Sequence, residues 1–191
     1  IGMGWRDFLF FIILSPVDPF FPSGFEPISV FVEDQYVRAV RGGVGEAKTG
    51  GNYAAAQVAT KRAKEAGYAQ VLWLDALERR YVEEMGGMNV FFVYGNKLVT
   101  SPLTGTILPG ITRDSLLILG KDLGYEVEER LIDIDELMAD IKSGEVTEAF
   151  ACGTAAVIAP INLLAYKGEE VTVADGETGK VTQHLYDELT G

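Results

Sequence analysis

A single lysine stands among closely spaced glycines in residues 41–53, RGGVGEAKTGGNY. Five glycines lie within these thirteen residues. Glycine permits positive φ angles and lets the backbone come close to another group. The pattern therefore indicates either a flexible surface loop with an incidental lysine, or a loop that holds a ligand against Lys48.

Lys48 admits two kinds of ligand chemistry. One is phosphate binding by a P-loop, G-x-x-x-x-G-K-[ST], in which backbone N–H groups surround the phosphates. The spacing from Gly42 to Lys48-Thr49 fits, but Ala47 stands where the last glycine must be. The other is covalent chemistry, in which a partly desolvated amine attacks a carbonyl and forms a Schiff base. The loop alone leaves both open.

Composition limits the class of partner. The chain has 191 residues, 48% of them hydrophobic, which suits one domain with a sizeable core, or a domain plus a fragment. The net charge of −12 argues against nucleic acid and against an anionic membrane. The longest apolar run, residues 8–14, is too short to span a bilayer. The single cysteine, Cys152, excludes an internal disulfide and predicts a reducing, cytoplasmic compartment.

The elements before the lysine are predicted from apolar runs and prolines. Residues 8–14 are continuously apolar and predict a buried strand. Residues 15–27 contain four prolines and predict an interdomain linker. We expect a strand over residues 28–32, and a helical turn over residues 34–38.

Asn52 is the predicted N-cap of a helix that runs to about residue 66. This helix start places Lys48 and Tyr53 where both can point into one site. Buried or half-buried strands are predicted over residues 71–75, 81–84, 89–94, 97–100, 125–131, 146–151 and 171–173.

Two adjacent acids, Glu83 and Glu84, end the second of these strands. Since strand alternation points them to opposite faces, one should point inward, where a carboxylate needs a partner. The alternative is a pair of solvated acids before a turn.

Helices are also predicted after residues 109–112, from Asp133 to Gly144, and over residues 179–189. Thr112 is the expected N-cap of the first, and its free backbone N–H groups form a natural anion site. The only histidine, His184, lies beside the inner face of the last helix, so a Ser–His–Asp triad has no good candidate. No metal-ligand cluster stands out.

Five stretches together resemble the branched-chain amino acid aminotransferases, which use pyridoxal phosphate and have fold type IV. They are AKTGGNY at 47–53, QVLWLD at 70–75, EMGGMNVF at 84–91, LPGITR at 108–113 and GTAA at 153–156. The resemblance implies a mixed α/β (α+β) fold, with the large domain as a β-pseudobarrel flanked by helices. It also implies a homodimer that acts on branched-chain L-amino acids and 2-oxo acids.

The same resemblance implies roles for the residues around the lysine. Lys48 resembles the lysine that holds the cofactor as a Schiff base and transfers the proton at the substrate Cα. Tyr53 would bond the cofactor's phenolic oxygen. Glu84 would keep the ring nitrogen protonated, which makes the ring an electron sink. Arg38 matches a family position near the phosphate.

Further binding residues are implied in the later stretches. Ile111 and Thr112 at a helix start, with Thr154, would hold the phosphate. The backbone amides of Thr154 and Ala155 resemble the pair that receives the substrate carboxylate. Phe20 matches a substrate-contacting position where relatives often carry tyrosine, so a hydroxyl is missing there.

The resemblance also divides the chain. Residues 1–14 match the end of a small N-terminal domain, residues 15–27 the linker, and residues 28–191 a cofactor-binding large domain that lacks its C-terminal end. Within the fold type, D-amino acid aminotransferases and aminodeoxychorismate lyases are the near alternatives. A P-loop nucleotide-binding protein and a non-enzymatic binding module are the remote ones.

Overall fold

The computed structural model describes residues 8–16 and 24–191. In this part of the chain, nine strands form one mixed sheet. The strands are β1 Ile28–Glu33, β2 Gln70–Leu74, β3 Val82–Met85, β4 Asn89–Tyr94, β5 Lys97–Thr100, β6 Glu126–Glu129, β7 Glu148–Gly153, β8 Val157–Tyr166 and β9 Glu169–Thr172. The helices are α1 Gly50–Ala55, α2 Gln57–Glu65, α3 Ile111–Asp122, α4 Ile134–Ser143 and α5 Lys180–Thr190, with a short 3₁₀ turn at Ala174–Gly176.

The sheet runs in the order β3-β2-β1-β8-β7-β4-β5-β6, and β9 pairs with β8. Three neighbouring pairs are parallel, namely β1 with β2, β1 with β8, and β5 with β6. The other pairs are antiparallel. The ten-residue β8 joins the two halves, since it carries β1 on one side and β7 on the other.

Helices cover the sheet in separate apolar clusters. The first cluster includes the buried face of α4, at Ile134, Leu137, Met138 and Ile141. In the second, Leu116 of α3 and Leu185 of α5 pack with the sheet residues Phe91 and Phe150. In the third, Ala59 and Ala63 of α2 lie against Val71 and Trp73, and these small side chains let the helix approach β2 closely. The mixed α/β architecture predicted from the sequence is confirmed.

Local sequence signals explain how α4 begins and ends. Asp133 is the N-cap of α4, and its side chain accepts hydrogen bonds from the backbone N–H groups of Asp135 and Glu136 at 2.8 and 3.3 Å. Gly144 ends the helix in the left-handed conformation, with φ 83°. Both features agree with the sequence prediction.

Two predicted elements near the N-terminus are wrong. Residues 8–14 form no strand, and their apolar side chains are exposed, from 63% at Phe11 to 92% at Leu14. An extended apolar segment becomes a strand only when a neighbouring strand satisfies its backbone, and none of the described strands pairs with it. Residues 34–38 form a bend instead of a helical turn. Most of the proposed linker, including Phe20, lies outside the described residues.

Two predicted helix caps are also wrong. The helix after the lysine begins at Gly50 with Thr49 as its N-cap, and a break at Ala56 separates α1 from α2. Asn52 therefore lies inside α1. Gly110, not Thr112, is the N-cap of α3.

Strand β8 was not predicted from the sequence. It contains Pro160, a residue that is unusual inside a central strand. In the structure Pro160 is paired with Phe150 of β7 and lies one residue before Ile161, the first residue that pairs with β1.

Candidate active site

A cavity of about 560 Å³ opens where four chain turns meet. These are the start of α1, the turn between β3 and β4, the start of α3, and the turn between β7 and β8. Each of the four carries one of the glycine-containing stretches singled out in the sequence. Pockets of roughly 300–1,000 Å³ are typical of small-molecule and cofactor sites.

The lysine loop is held in place by hydrogen bonds and close packing. The Asn52 side chain donates to the carbonyl oxygens of Val44 and Ala47 at 2.8 and 2.9 Å. Gly45 lies so close to Thr106 that an added Cβ would be 2.5 Å from the Thr106 carbonyl oxygen. The loop is therefore a built part of the fold, and its central glycine is required by a close approach.

Lys48 and Tyr53 both line this cavity, and the Lys48 Nζ lies 5.6 Å from the centre of the Tyr53 ring. The Tyr53 ring rests against Gly87, where an added Cβ would come within 3.0 Å of the ring. The Lys48 side chain is exposed. In the described chain, the fold itself therefore does not shield this amine from water.

Glu84 forms a buried ion pair at the back of the cavity. Its Oε2 lies 2.9 Å from Nε of Arg38, and its Oε1 accepts a hydrogen bond from the Leu108 N–H at 2.6 Å. Burial raises the pKa of Glu84 to about 7; Arg38, the Leu108 N–H and Lys48 oppose this rise, while Glu83 adds to it. The carboxyl group is thus poised to gain or lose a proton near neutral pH.

The start of α3 presents unused backbone donors to the cavity. Gly110 is its N-cap, and the N–H groups of Ile111 and Thr112 begin the helix without an intrahelical acceptor. The Asn89 side chain holds the preceding turn by donating to the Leu108 carbonyl oxygen at 3.0 Å. Such a helix start, with twelve residues of aligned dipole behind it, is a favourable site for an anion.

The turn between β7 and β8 contributes small, exposed residues on the cavity edge. Thr154 and Ala155 form its tip and line the cavity. Val157, which follows, has φ 58°, a conformation that is rare for a β-branched residue. A conformation of this kind persists only where the surrounding structure holds it.

The structure brings most of the predicted site residues together. Seven of them line the cavity: Arg38, Lys48, Tyr53, Ile111, Thr112, Thr154 and Ala155. Glu84 does not reach the cavity lining, but both of its polar contacts are to lining residues. The guanidinium of Arg38 is occupied by Glu84, Gly45 and Thr106. Its predicted proximity to a phosphate stays a prediction, and Phe20 lies outside the described residues.

Several contributing residues were not predicted from the sequence. The side chains of Asn52 and Asn89 hydrogen-bond two of the loops, and the Thr106 carbonyl oxygen accepts a hydrogen bond from Arg38. Asn52 and Asn89 follow the glycine pairs 50–51 and 86–87 by one and two residues, so an amide shortly after a glycine pair was the available signal. Thr106 lies in no motif. Among the described residues, no group of three or more potential ligands is placed to hold a metal ion, and no helix is long and apolar enough to cross a membrane.

A lysine, a buried ion pair and an open helix start lie around one cavity, an arrangement that can hold an anionic group beside an amine. Comparison with known proteins agrees. Residues 11–164 match the family model for class IV amino-transferases. The chain is 52% identical to a probable branched-chain-amino-acid aminotransferase of Streptomyces coelicolor, over 99% of this chain and 53% of that protein. It is 53% identical to the branched-chain-amino-acid aminotransferase of Mycolicibacterium smegmatis, over 100% of this chain and 54% of that protein.

Solved structures give the same result. The branched-chain amino acid aminotransferase of Escherichia coli superposes with a TM-score of 0.80 at 32% identity, over 93% of this chain and 55% of that one. A T.th. enzyme of the same name, complexed with N-(5'-phosphopyridoxyl)-L-glutamate, gives a TM-score of 0.73 at 31% identity, over 86% and 51%. The chain therefore belongs to the class IV aminotransferases. It spans about half the length of the curated relatives it matches.

Proposed function

We propose that the protein carrying this chain transfers amino groups from L-leucine, L-isoleucine and L-valine to 2-oxoglutarate, with pyridoxal 5'-phosphate as its cofactor. The observation that carries the proposal is the meeting of Lys48, the Arg38–Glu84 ion pair and the open start of α3 around one cavity. The names of the relatives support the choice of substrates.

The residues present fit this cofactor. Free N–H groups and the Thr112 hydroxyl at the start of α3 suit its phosphate, and the buried Glu84 carboxylate suits its ring nitrogen. Gly87 leaves a space that a Cβ would fill, and the Tyr53 ring lies against it. From this position the Tyr53 hydroxyl would hydrogen-bond the phenolic oxygen of the cofactor. When bound, pyridoxal phosphate supplies a cationic ring that withdraws electrons from the substrate Cα.

Lys48 would do the proton chemistry. Its Nζ would hold the cofactor through the carbonyl carbon, with loss of water, when no substrate is present. Once the substrate amine has taken its place, the free Nζ would take the proton from the substrate Cα and return one. Because the amine is exposed in the described chain, a bound cofactor is one group that would cover it.

Glu84 would hold a proton at the ring nitrogen. A carboxyl group with a pKa of about 7 is easily ionised by a cationic neighbour, so contact with the ring would favour a carboxylate paired with N–H⁺. Arg38 would keep that carboxylate in place through its 2.9 Å contact. The substrate carboxylate would be received by the backbone N–H groups of Thr154 and Ala155 at the edge of the cavity.

The expected partners follow from the proposed reaction. We expect small amino acids and 2-oxo acids as substrates, a homodimer as the assembly, and the cytoplasm as the compartment. Nucleic acid and membrane are not expected, because the net charge is −12.

Visible absorption of the intact protein, before and after addition of L-leucine, tests the proposal. We expect a visible band with pyridoxal phosphate that changes on addition of L-leucine and returns with 2-oxoglutarate. A response to D-alanine alone would favour a D-amino acid aminotransferase, and pyruvate release from aminodeoxychorismate would favour the lyase. Binding of Mg²⁺-ATP without a chromophore would favour the P-loop alternative and overturn the proposal.

Borohydride reduction and peptide mapping then test the role of Lys48. We expect the cofactor to be fixed to Lys48, and the Lys48→Ala variant to lose both this product and turnover. Lys64, an exposed lysine of α2, gives the matched control Lys64→Ala, which should keep both. Substantial turnover in Lys48→Ala would remove Lys48 from its proposed role.

A further inference from the structure

A second carboxylate, Glu83, lies directly behind the active site. Glu83 and Glu84 are neighbours in β3, so their side chains point to opposite faces of the strand. Glu83 lines a separate cavity of about 170 Å³, yet the residue is only 6% exposed. Its Oε1 accepts a hydrogen bond from the Thr106 hydroxyl at 2.5 Å, and its Oε2 has no hydrogen-bond partner among the described residues.

Thr106 connects the two carboxylates. Its hydroxyl binds Glu83, and its carbonyl oxygen accepts a hydrogen bond from Nη1 of Arg38 at 2.6 Å. Arg38 in turn contacts Glu84 through Nε at 2.9 Å. A continuous chain of three polar contacts therefore runs from the rear cavity to the carboxylate at the active site.

The Thr106 carbonyl oxygen is the tighter of the two backbone acceptors of the Arg38 guanidinium. It lies 2.6 Å from Nη1, whereas the Gly45 carbonyl oxygen lies 3.3 Å from both Nη atoms. An apolar residue at position 83 would avoid the cost of burying a carboxylate with an unpaired oxygen. Packing alone therefore does not account for a carboxylate at position 83. The polar contacts that connect Glu83 to Glu84 do account for it.

We propose that Glu83 is a positioning residue for Glu84: through Thr106 it fixes the Arg38 guanidinium, and its charge sets how readily Glu84 ionises. Its consequence for catalysis rests on the proposed function, whereas the link between the two carboxyl groups does not.

The charged groups around the two acids give the direction of the effect. Burial raises the pKa of Glu83, and Asp75 adds to the rise, whereas the Thr106 hydrogen bond, Arg38 and Arg41 oppose it. Glu83 itself raises the pKa of Glu84, in opposition to Arg38, the Leu108 N–H and Lys48. Removing the negative charge at position 83 should therefore make Glu84 ionise at lower pH.

The decisive experiment is a ¹³C NMR titration of the Glu84 carboxyl carbon in the cofactor-free intact protein, with the resonance assigned from Glu84→Gln. We expect Glu83→Gln, which keeps an oxygen for the Thr106 hydroxyl, to lower the pKa of Glu84. Glu78 lines the same rear cavity but is exposed, so Glu78→Gln removes an equal charge as the matched control and should leave the titration unchanged.

Thr106→Val tests whether the hydrogen bond between Thr106 and Glu83 is needed for the effect on Glu84. It removes the hydroxyl that donates to Glu83 but keeps the carbonyl oxygen that accepts from Arg38. Without that donor the buried Glu83 should take up a proton, so the pKa of Glu84 should fall as in Glu83→Gln, and the double variant should add little. Thr106→Ser should behave as the original, and so should Thr147→Val, a threonine whose hydroxyl bonds to Val93 elsewhere in the sheet.

The outcomes separate this inference from the proposed function. An unchanged Glu84 titration in Glu83→Gln and Thr106→Val, or an equal shift in Glu78→Gln, would overturn the inference. Absence of any visible band with pyridoxal phosphate would instead contradict the proposed function and leave the cofactor-free titration as a valid test.

Discussion

The Nε atom of Arg38 lies 2.9 Å from Oε2 of Glu84, with 4% and 1% of the two side chains exposed. Each charge depends on the other, because a buried ion that loses its partner keeps the cost of desolvation without the compensating attraction. The pair also joins two distant segments, since Arg38 precedes the lysine loop and Glu84 lies in β3. The stability of the fold, its response to pH and the proposed catalysis therefore all depend on the Arg38–Glu84 contact.

Arg38→Met should destabilise the cofactor-free protein by about 3–5 kcal/mol, because it leaves the Glu84 carboxylate buried and unpaired. The free energy of unfolding at pH 8, measured with urea, checks this. Adding Glu84→Gln to the same variant should restore part of the loss. Lys61→Ala breaks an exposed ion pair with Glu65 and should cost less than about 1 kcal/mol. An equal loss of unfolding free energy in Arg38→Met and Lys61→Ala would show that the buried pair contributes no more than the exposed one.

The pKa of Glu84 predicts a pH-dependent stability. Burial raises it from 4.5 in the unfolded chain to about 7, so the folded state binds the proton more tightly. The stabilising contribution is full below pH 4.5 and is lost as the pH rises through about 7. Since one pKa unit corresponds to about 1.4 kcal/mol, the loss amounts to a few kcal/mol.

Urea unfolding of the cofactor-free protein between pH 4.5 and about 7 measures this loss, with Glu84→Gln as the reference. The difference between the two proteins should shift in favour of the variant as the pH rises. A difference that stays constant with pH would show that Glu84 does not titrate in this range.

Glu84→Gln should also lower turnover of the loaded enzyme by roughly 10²- to 10³-fold, the usual loss when one preorganised electrostatic group is removed. A neutral amide cannot hold the ring nitrogen in its protonated form, so the ring withdraws electrons poorly. Steady-state kinetics with L-leucine measures the loss, and the visible spectrum checks that the cofactor is still bound. Unchanged turnover would reject the pairing of Glu84 with the ring.

Gly87→Ala should displace the Tyr53 ring, because the new Cβ would lie 3.0 Å from the ring in the present arrangement. We expect roughly tenfold weaker binding of pyridoxal phosphate, equivalent to the loss of about one hydrogen bond. Gly51→Ala is the matched control, since an added Cβ there meets nothing within 4 Å. Equal affinity in the two variants would remove Gly87 from the support of Tyr53.

Thr112→Val and Thr154→Val should each weaken binding of pyridoxal phosphate by roughly 10- to 100-fold, because hydrogen bonds to a charged group contribute about 1.5–3 kcal/mol. Binding of pyridoxal, which has no phosphate, should change little. Thr147→Val removes a hydroxyl distant from the cavity and serves as the control. A similar loss for pyridoxal and its phosphate would place the two hydroxyls elsewhere than at the phosphate.

Several candidate site residues were accessible from the sequence because each is marked by its near neighbours along the chain. Glycines flank Lys48, a proline and a glycine precede Ile111, and small residues surround Thr154. The caps of α4 were predictable for the same reason, since a capping side chain reaches only two or three residues along the chain. These local signals also carried the resemblance that led to the family.

The tertiary structure alone decided which partners these residues meet. No spacing in the chain predicts that Arg38 and Glu84, far apart in sequence, form a buried pair, or that Thr106 bridges to Glu83. Strand β8 was not predicted from the sequence, and only the strand pairing shows that Pro160 is accepted opposite Phe150, one residue before pairing with β1 begins. The strand predicted over residues 8–14 was wrong for the opposite reason. Their apolar composition favours a buried strand, but only the tertiary structure determines whether a neighbouring strand pairs with them. Turns, helix caps and motifs depend on residues that are close along the chain, so the sequence predicts them. Burial and pairing depend on which distant segments the fold brings together.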